Sequence, residues 1–163
     1  MKKQKTPQNY INYFIHDIYG YDQPHPGQEE ALLSLREGHD TLAIMPTGSG
    51  KSLIYQAAGS LLPGPTVVVS PLVALQYDQL NSLQGPAPGS AGVINPAQPA
   101  AETASTVKEF EAGRLEFLFL APEQFNDQTI LEHLKKNRPS LFVVDEAHCI
   151  SEWATISGRN TFR

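Results

Sequence analysis

The segment Met45-Pro-Thr-Gly-Ser-Gly-Lys-Ser52 gathers the groups needed to hold a chain of phosphates. Gly48 and Gly50 let the backbone turn its N–H groups toward an anion, Lys51 adds a point charge for the terminal phosphates, and the Ser52 hydroxyl can ligate Mg2+. This is a P-loop, with Met45 standing where the usual pattern begins with Gly. Much later in the chain, Phe142-Val-Val-Asp-Glu-Ala-His148 sets two carboxylates side by side. Asp145 suits Mg2+ binding through water, and Glu146 suits orienting and deprotonating a water that attacks a γ-phosphate. His148, in the same Asp-Glu-Ala-His run, is the third candidate catalytic group.

Such groups work only if secondary structure holds them. Thr41-Leu-Ala-Ile-Met45 reads as a buried strand entering the P-loop, and Ser52-Leu-Ile-Tyr-Gln-Ala-Ala58 as the helix whose N-terminus points at the anion. Leu141-Phe-Val-Val144 reads as the strand that delivers Asp145 and Glu146 at its carboxyl end, where ligands of open α/β sheets collect. Between them the pattern alternates. Strand Thr66–Ser70 precedes helix Leu72–Leu83, strand Ala91–Ile94 precedes helix Ala100–Ala112, and strand Leu115–Leu120 precedes a mostly helical stretch Glu123–Asn137. Upstream, apolar residues at three- and four-residue intervals predict an amphipathic helix over Tyr10–Tyr19, and a second helix runs over Gln28–Arg36. Residues Gln84–Ser90 form a turn-rich loop. Strands alternating with helices imply an α/β fold: a parallel sheet flanked by helices.

Composition narrows the function classes. The chain has 163 residues, enough for one domain and one core. No apolar run approaches the roughly 20 residues that span a bilayer, so no membrane partner is expected. The basic start Met1-Lys-Lys-Gln-Lys5 leads into polar and aromatic residues rather than a signal-peptide core, which points to a cytoplasmic protein, nucleoid-associated if bacterial. Cys149 is the sole cysteine, which excludes an internal disulfide and reads as a small buried side chain. The formal charge of −5 means that any nucleic-acid contact must be local.

Five ordered motifs together resemble the RecQ-type DNA helicases of the second helicase superfamily. They are Tyr21-Asp-Gln-Pro-His-Pro-Gly-Gln28, the P-loop, Val69-Ser-Pro-Leu-Val-Ala-Leu-Gln-Tyr-Asp-Gln79, Phe119-Leu-Ala-Pro-Glu-Gln124 and Asp145-Glu-Ala-His-Cys-Ile-Ser-Glu-Trp153. The resemblance implies a RecA-like P-loop NTPase domain and an ATP-dependent DNA helicase acting in recombination and repair, with 3′ to 5′ translocation and ATP and Mg2+ as cofactors. By the same resemblance Gln28 reads the adenine edge and Tyr21 stacks on its ring, while Thr47, Gly48, Ser49, Gly50, Lys51 and Ser52 line the phosphates. Ser52 and Asp145 would hold Mg2+. Ser70, Pro71, Leu72, Ala121, Pro122 and Glu123 would grip one strand of single-stranded or duplex DNA, and Trp153 would stack on its bases. Two rival readings are an RNA-stimulated ATPase of the same superfamily and a non-catalytic truncated nucleotide-binding protein.

The chain also departs from the family. Where the family usually has Phe-Arg-Pro-Gly-Gln, this chain has Pro24-His25-Pro26-Gly27-Gln28, which removes a permanent positive charge near the nucleotide. After Trp153 the family continues with Gly-His-Asp-Phe-Arg-Pro-Glu-Tyr-Leu. Writing that as GGC CAC GAT TTC CGG CCG GAA TAC CTT C and deleting the first G yields Ala-Thr-Ile-Ser-Gly-Arg-Asn-Thr-Phe, the residues found from Ala154 to Phe162. The expected division is therefore an N-terminal helix and adenine-recognition connector over 1–27, a partial first RecA-like domain over 28–153, and a frameshifted tail over 154–163. The resemblance further implies a missing second RecA-like domain. It also implies a missing strand between the P-loop strand and the Asp-Glu strand, so that the lobe is incomplete at its C-terminus and marginal in stability or prone to aggregate.

Overall fold

Among the described residues, short apolar runs rich in β-branched and aromatic residues make four strands: β1 (Thr66–Val69), β2 (Ala91–Ile94), β3 (Phe117–Leu120) and β4 (Leu141–Val144). They form one parallel sheet in the order β2-β3-β1-β4. Helices α1 (Gln28–Arg36) and α2 (Lys51–Leu61) precede β1, and α3 (Val73–Leu83), α4 (Ala100–Glu111) and α5 (Gln128–Lys136) connect the successive strands. The computed structural model describes residues 11, 13–18, 20–46, 48–83 and 90–149. The loop 84–89, Thr47, Trp153 and the tail 154–163 lie outside them, as does the side chain of Cys149.

Parity along the strands sorts side chains to two faces. Val68, Phe117, Phe119 and Leu141 join Leu53, Ile54, Ala57 and Ala58 of α2, Leu32 of α1, and Ile11 and Ile15 in one buried cluster. Val67, Leu118, Leu120 and Ile94 pack on the other face against Val107 and Phe110 of α4 and Ile130 of α5. Burial of every β1 and β3 residue follows from helices on both sides. Helix α2 comes unusually close to the sheet: a Cβ at Gly59 would lie 2.5 Å from Thr66 Oγ1 and 2.8 Å from the Phe117 ring. Only glycine permits that approach.

The register brings the carboxyl ends level. Val69 pairs with Leu120 and Val144, and Leu120 with Ile94, so Ser70, Ala121, Asn95 and Asp145 all emerge at one edge of the sheet.

Three elements differ from the sequence reading. The segment Thr41–Met45 is not a strand; it is irregular, with Leu42 79% and Ile44 87% exposed. A strand requires a hydrogen-bonding neighbour, and among the described residues the sheet ends at β4 with no strand beyond it. The helix predicted over Tyr10–Tyr19 is π-wound across Tyr13–Ile18, with Ile15 buried beside Ile11. The stretch Glu123–Asn137 divides into a 3-10 turn over Pro122–Asn126 and α5, whose first N–H groups are capped by the Asp127 carboxylate accepting from Thr129 N–H at 2.8 Å.

Candidate nucleotide site

The N-terminus of α2 is built without a side-chain cap. Gly50 precedes Lys51 in the left-handed conformation (φ 79°), and Gly48 shares that conformation. No acidic residue occupies the first turn. Leu53 N–H donates to Gly50 O at 3.2 Å, while the Lys51 and Ser52 N–H groups and the positive end of the helix dipole suit an anion. Ahead of the helix the loop turns tightly over Pro46, whose carbonyl accepts from Ser49 N–H at 3.2 Å and Ser49 Oγ at 2.6 Å. Lys51 folds back along this loop, its Nζ donating to Met45 O at 3.3 Å and Pro46 O at 3.5 Å.

Asp145 follows directly on β4 and continues its pairing with β1, its N–H donating to Val69 O at 2.8 Å. Burial pushes the Asp145 carboxyl above the usual carboxylate range. The Glu146 N–H, 3.0 Å from Asp145 Oδ1, acts in the opposite direction, the Glu146 charge adds to the upward push, and the Lys51 charge pulls downward. Helix α2, which Lys51 opens, packs against β4, the strand that ends at Asp145. Glu146 has φ 52°, a left-handed conformation uncommon for a side chain of its size. Its Oε2 lies 3.2 Å from His148 Nδ1, and His148 is largely exposed in a short 3-10 turn over Ala147–Cys149.

The oxygen donors suit a hard cation. Asp145 offers a carboxylate and Ser52, on the first turn of α2, a hydroxyl. Among the described residues no group of three His, Cys, Asp or Glu side chains is placed to hold a metal ion. A cation here would draw its remaining ligands from phosphate and water, the usual situation for Mg2+ with nucleotides.

Gln28 opens α1, is 1% exposed and has its amide committed to protein. Its Oε1 accepts from His25 N–H at 2.8 Å, and its Nε2 donates to Ser49 O at 3.1 Å and Gly50 O at 3.0 Å. Tyr21 is exposed and meets the His25 ring edge-on, with centroids 5.8 Å apart.

The strand-end segments differ among themselves. Ser70 and Ala121 are buried, Pro71 and Pro122 half-buried, and Leu72 and Glu123 exposed. Behind Ser70 lies a buried polar chain that sequence reasoning missed: Gln76 Nε2 donates to Ser70 O at 2.8 Å, and Asn95 Nδ2 donates to Gln76 Oε1 at 3.4 Å. Asn95 is fixed in turn through Ala97 N–H, which donates to Asn95 Oδ1 at 2.9 Å. Its only sequence signal is a glutamine on the inward face of an otherwise mixed helix.

A family model described as DEAD/DEAH box helicase matches residues 25–161. "ATP-dependent DNA helicase Q-like 5" of Arabidopsis thaliana is 37% identical over 155 residues, covering 94% of this chain and 17% of the relative. "Probable ATP-dependent DNA helicase RecS" of Bacillus subtilis is 39% identical over 139 residues, covering 85% of this chain and 28% of its own length. "ATP-dependent DNA helicase RecQ" of Haemophilus influenzae is 34% identical over 140 residues, covering 85% of this chain and 22% of its own length. The chain thus spans between 17% and 28% of these relatives. A parallel sheet flanked by helices, matched over residues 25–161 by one family model and by relatives named as RecQ-type helicases, places this chain in the DEAD/DEAH box helicase family, on its RecQ-like side.

Proposed function

We propose that this chain is the first ATPase lobe of a RecQ-type DNA helicase, binding Mg·ATP at the edge shared by α2 and β4. The observation that carries the reading is geometric: an uncapped helix N-terminus headed by Lys51, on a helix packed against the strand that delivers the partly buried Asp145 at its carboxyl end. Lys51 leaves the Met45 and Pro46 carbonyls to meet terminal phosphates, a charge-assisted exchange that favours a dianionic partner over neutral carbonyls. Ser52 and Asp145 hold Mg2+, which, when bound, neutralises charge on the phosphate oxygens. Glu146 orients the attacking water and takes its proton, and His148, 3.2 Å from the Glu146 carboxylate, holds that carboxylate in place.

In the complete protein this lobe would act on single-stranded and duplex DNA, moving 3′ to 5′, through the strand-end segments and Trp153. A second RecA-like lobe would supply the arginine that completes catalysis, a contribution of about 10³–10⁵ in rate. Alone, the chain binds nucleotide with little turnover.

Titration calorimetry with Mg·ATP tests the reading. We expect one site per folded chain and a loss of about 10–100-fold in Lys51→Ala, the size of a lost charge-assisted hydrogen bond. Absence of heat in the parent chain, or equal affinity in Lys51→Ala, would overturn it.

A further inference from the structure

We infer that Gln56 and Gln79 form a polar strut through which α2 and α3 respond to nucleotide as one body. The inference rests on the nucleotide reading above and adds to it two positioning residues outside the groups proposed to hold phosphate and Mg2+. Gln56 is buried on α2, and its Nε2 donates to Gln79 Oε1 of α3 at 2.8 Å.

Each end of the strut leads toward a place where a ligand is proposed. On α2, Gln56 stands four positions after Ser52, so the two share one stripe of the helix, a turn apart. On α3, Gln79 stands three positions after the buried Gln76, which puts both glutamines on one face. Gln76 Nε2 donates back to Ser70 O at 2.8 Å, and Asn95 Nδ2 donates to Gln76 Oε1 at 3.4 Å. Ser70 follows directly on β1 and opens the segment proposed to meet DNA. A line of side-chain amides and two helical turns therefore runs from the head of α2 to the carboxyl end of β1.

Polar contacts fix register in a way that apolar ones do not. Leu80 of α3 packs against the cluster that holds Leu53, Ile54 and Ala57 of α2. Such a contact tolerates sliding, because apolar attraction has no preferred direction. The Gln56–Gln79 bond tolerates little, since a hydrogen bond weakens steeply with angle and a buried amide pulled from its partner is costly. Gln76 places the same constraint between α3 and the end of β1. A nucleotide that orders the first turn of α2 thereby restrains α3 and the segment ahead of it, and lowers the ordering cost of whatever binds there.

Hydrogen–deuterium exchange on the 163-residue chain, with and without Mg·ATP, tests the strut. A ligand that merely stabilises the whole fold slows exchange in every element, so α4, which packs on the opposite face of the sheet, serves as the reference. In the parent we expect Mg·ATP to protect α2 and to slow exchange over residues 70–83 about fivefold or more beyond the change in α4. Gln56→Leu and Gln79→Leu should keep the Mg·ATP affinity and the protection of α2, while the excess slowing over residues 70–83 disappears. The double variant replaces both partners by apolar groups of similar size, a change that can leave stability nearly untouched, and it should lose the excess slowing as fully as either single variant. Excess slowing retained in the double variant would overturn the strut, because packing alone would then carry the effect. A parent in which α2 is protected and residues 70–83 change no more than α4 would overturn it as well. A parent in which α2 gains no protection would remove the nucleotide reading itself, an outcome distinct from the other two.

Discussion

An ionised carboxylate at Asp145 works against the fold that carries it, since burial holds its pKa above the ordinary Asp value. A raised folded-state value means that the neutral acid is favoured on folding. The resulting stabilisation is full below the unfolded pKa, close to the ordinary 3.8, and is lost as pH rises through the folded value. Asp145→Asn should therefore raise the urea midpoint at pH 7 while matching the parent in strong acid, and it should abolish Mg2+-dependent nucleotide binding. Equal midpoints at pH 7 would contradict this. The residues of the P-loop were legible because phosphate chemistry demands fixed types within one short loop: Gly48, Gly50, Lys51 and Ser52 announce themselves by spacing. The bonds of Gln28 were not legible. They join residues more than twenty positions apart, and only the docking of α1 on α2 brings them together.

At the scale of elements, β1 to β4 could be read from apolar runs bounded by Pro, Gly and polar residues, and β4 matches its expected bounds of Leu141–Val144. Thr41–Met45 carries the same apolar signal and forms no strand, because apolarity records a preference while pairing depends on a neighbour. The packing of α2 was equally invisible, since nothing local in Gly-Ser-Leu reports that Thr66 and Phe117 lie beneath Gly59. That contact sets the height of α2 above the sheet and with it the position of Lys51 relative to Asp145. Gly59→Ala should cost about 1–3 kcal/mol by overpacking, since its new methyl meets two fully buried side chains. Urea unfolding measures it. A change within experimental scatter would mean that the helix moves away without penalty, and that the spacing of the site is not fixed by this packing.

Across the whole molecule, charge constrains how the proposed DNA partner can be held. The chain carries 12 Lys and Arg against 17 Asp and Glu. No helix among the described residues is long and apolar enough to cross a membrane. The segments proposed to meet DNA offer Leu72 and Glu123 as their exposed side chains, neither of them cationic, beside a Ser70 backbone fixed from behind by Gln76 and Asn95. Binding built on backbone N–H groups, helix ends and stacking displaces few counterions. The dependence of log affinity on log salt for a single strand has a slope of about −0.7 per phosphate neutralised, and this surface should neutralise about one or two, giving a slope near −1. Fluorescence anisotropy of a labelled oligonucleotide across a salt series reads that slope directly. A slope of about −4 or steeper would require some six paired phosphates, which would place the DNA on a cationic surface that these segments do not provide. Gln76→Leu supplies the companion measurement: it frees the Ser70 carbonyl and leaves formal charge untouched, so affinity should fall several-fold while the slope stays the same. If affinity and slope changed together, the contact would be one of charge, and the buried polar chain behind Ser70 would be scaffolding for the sheet alone.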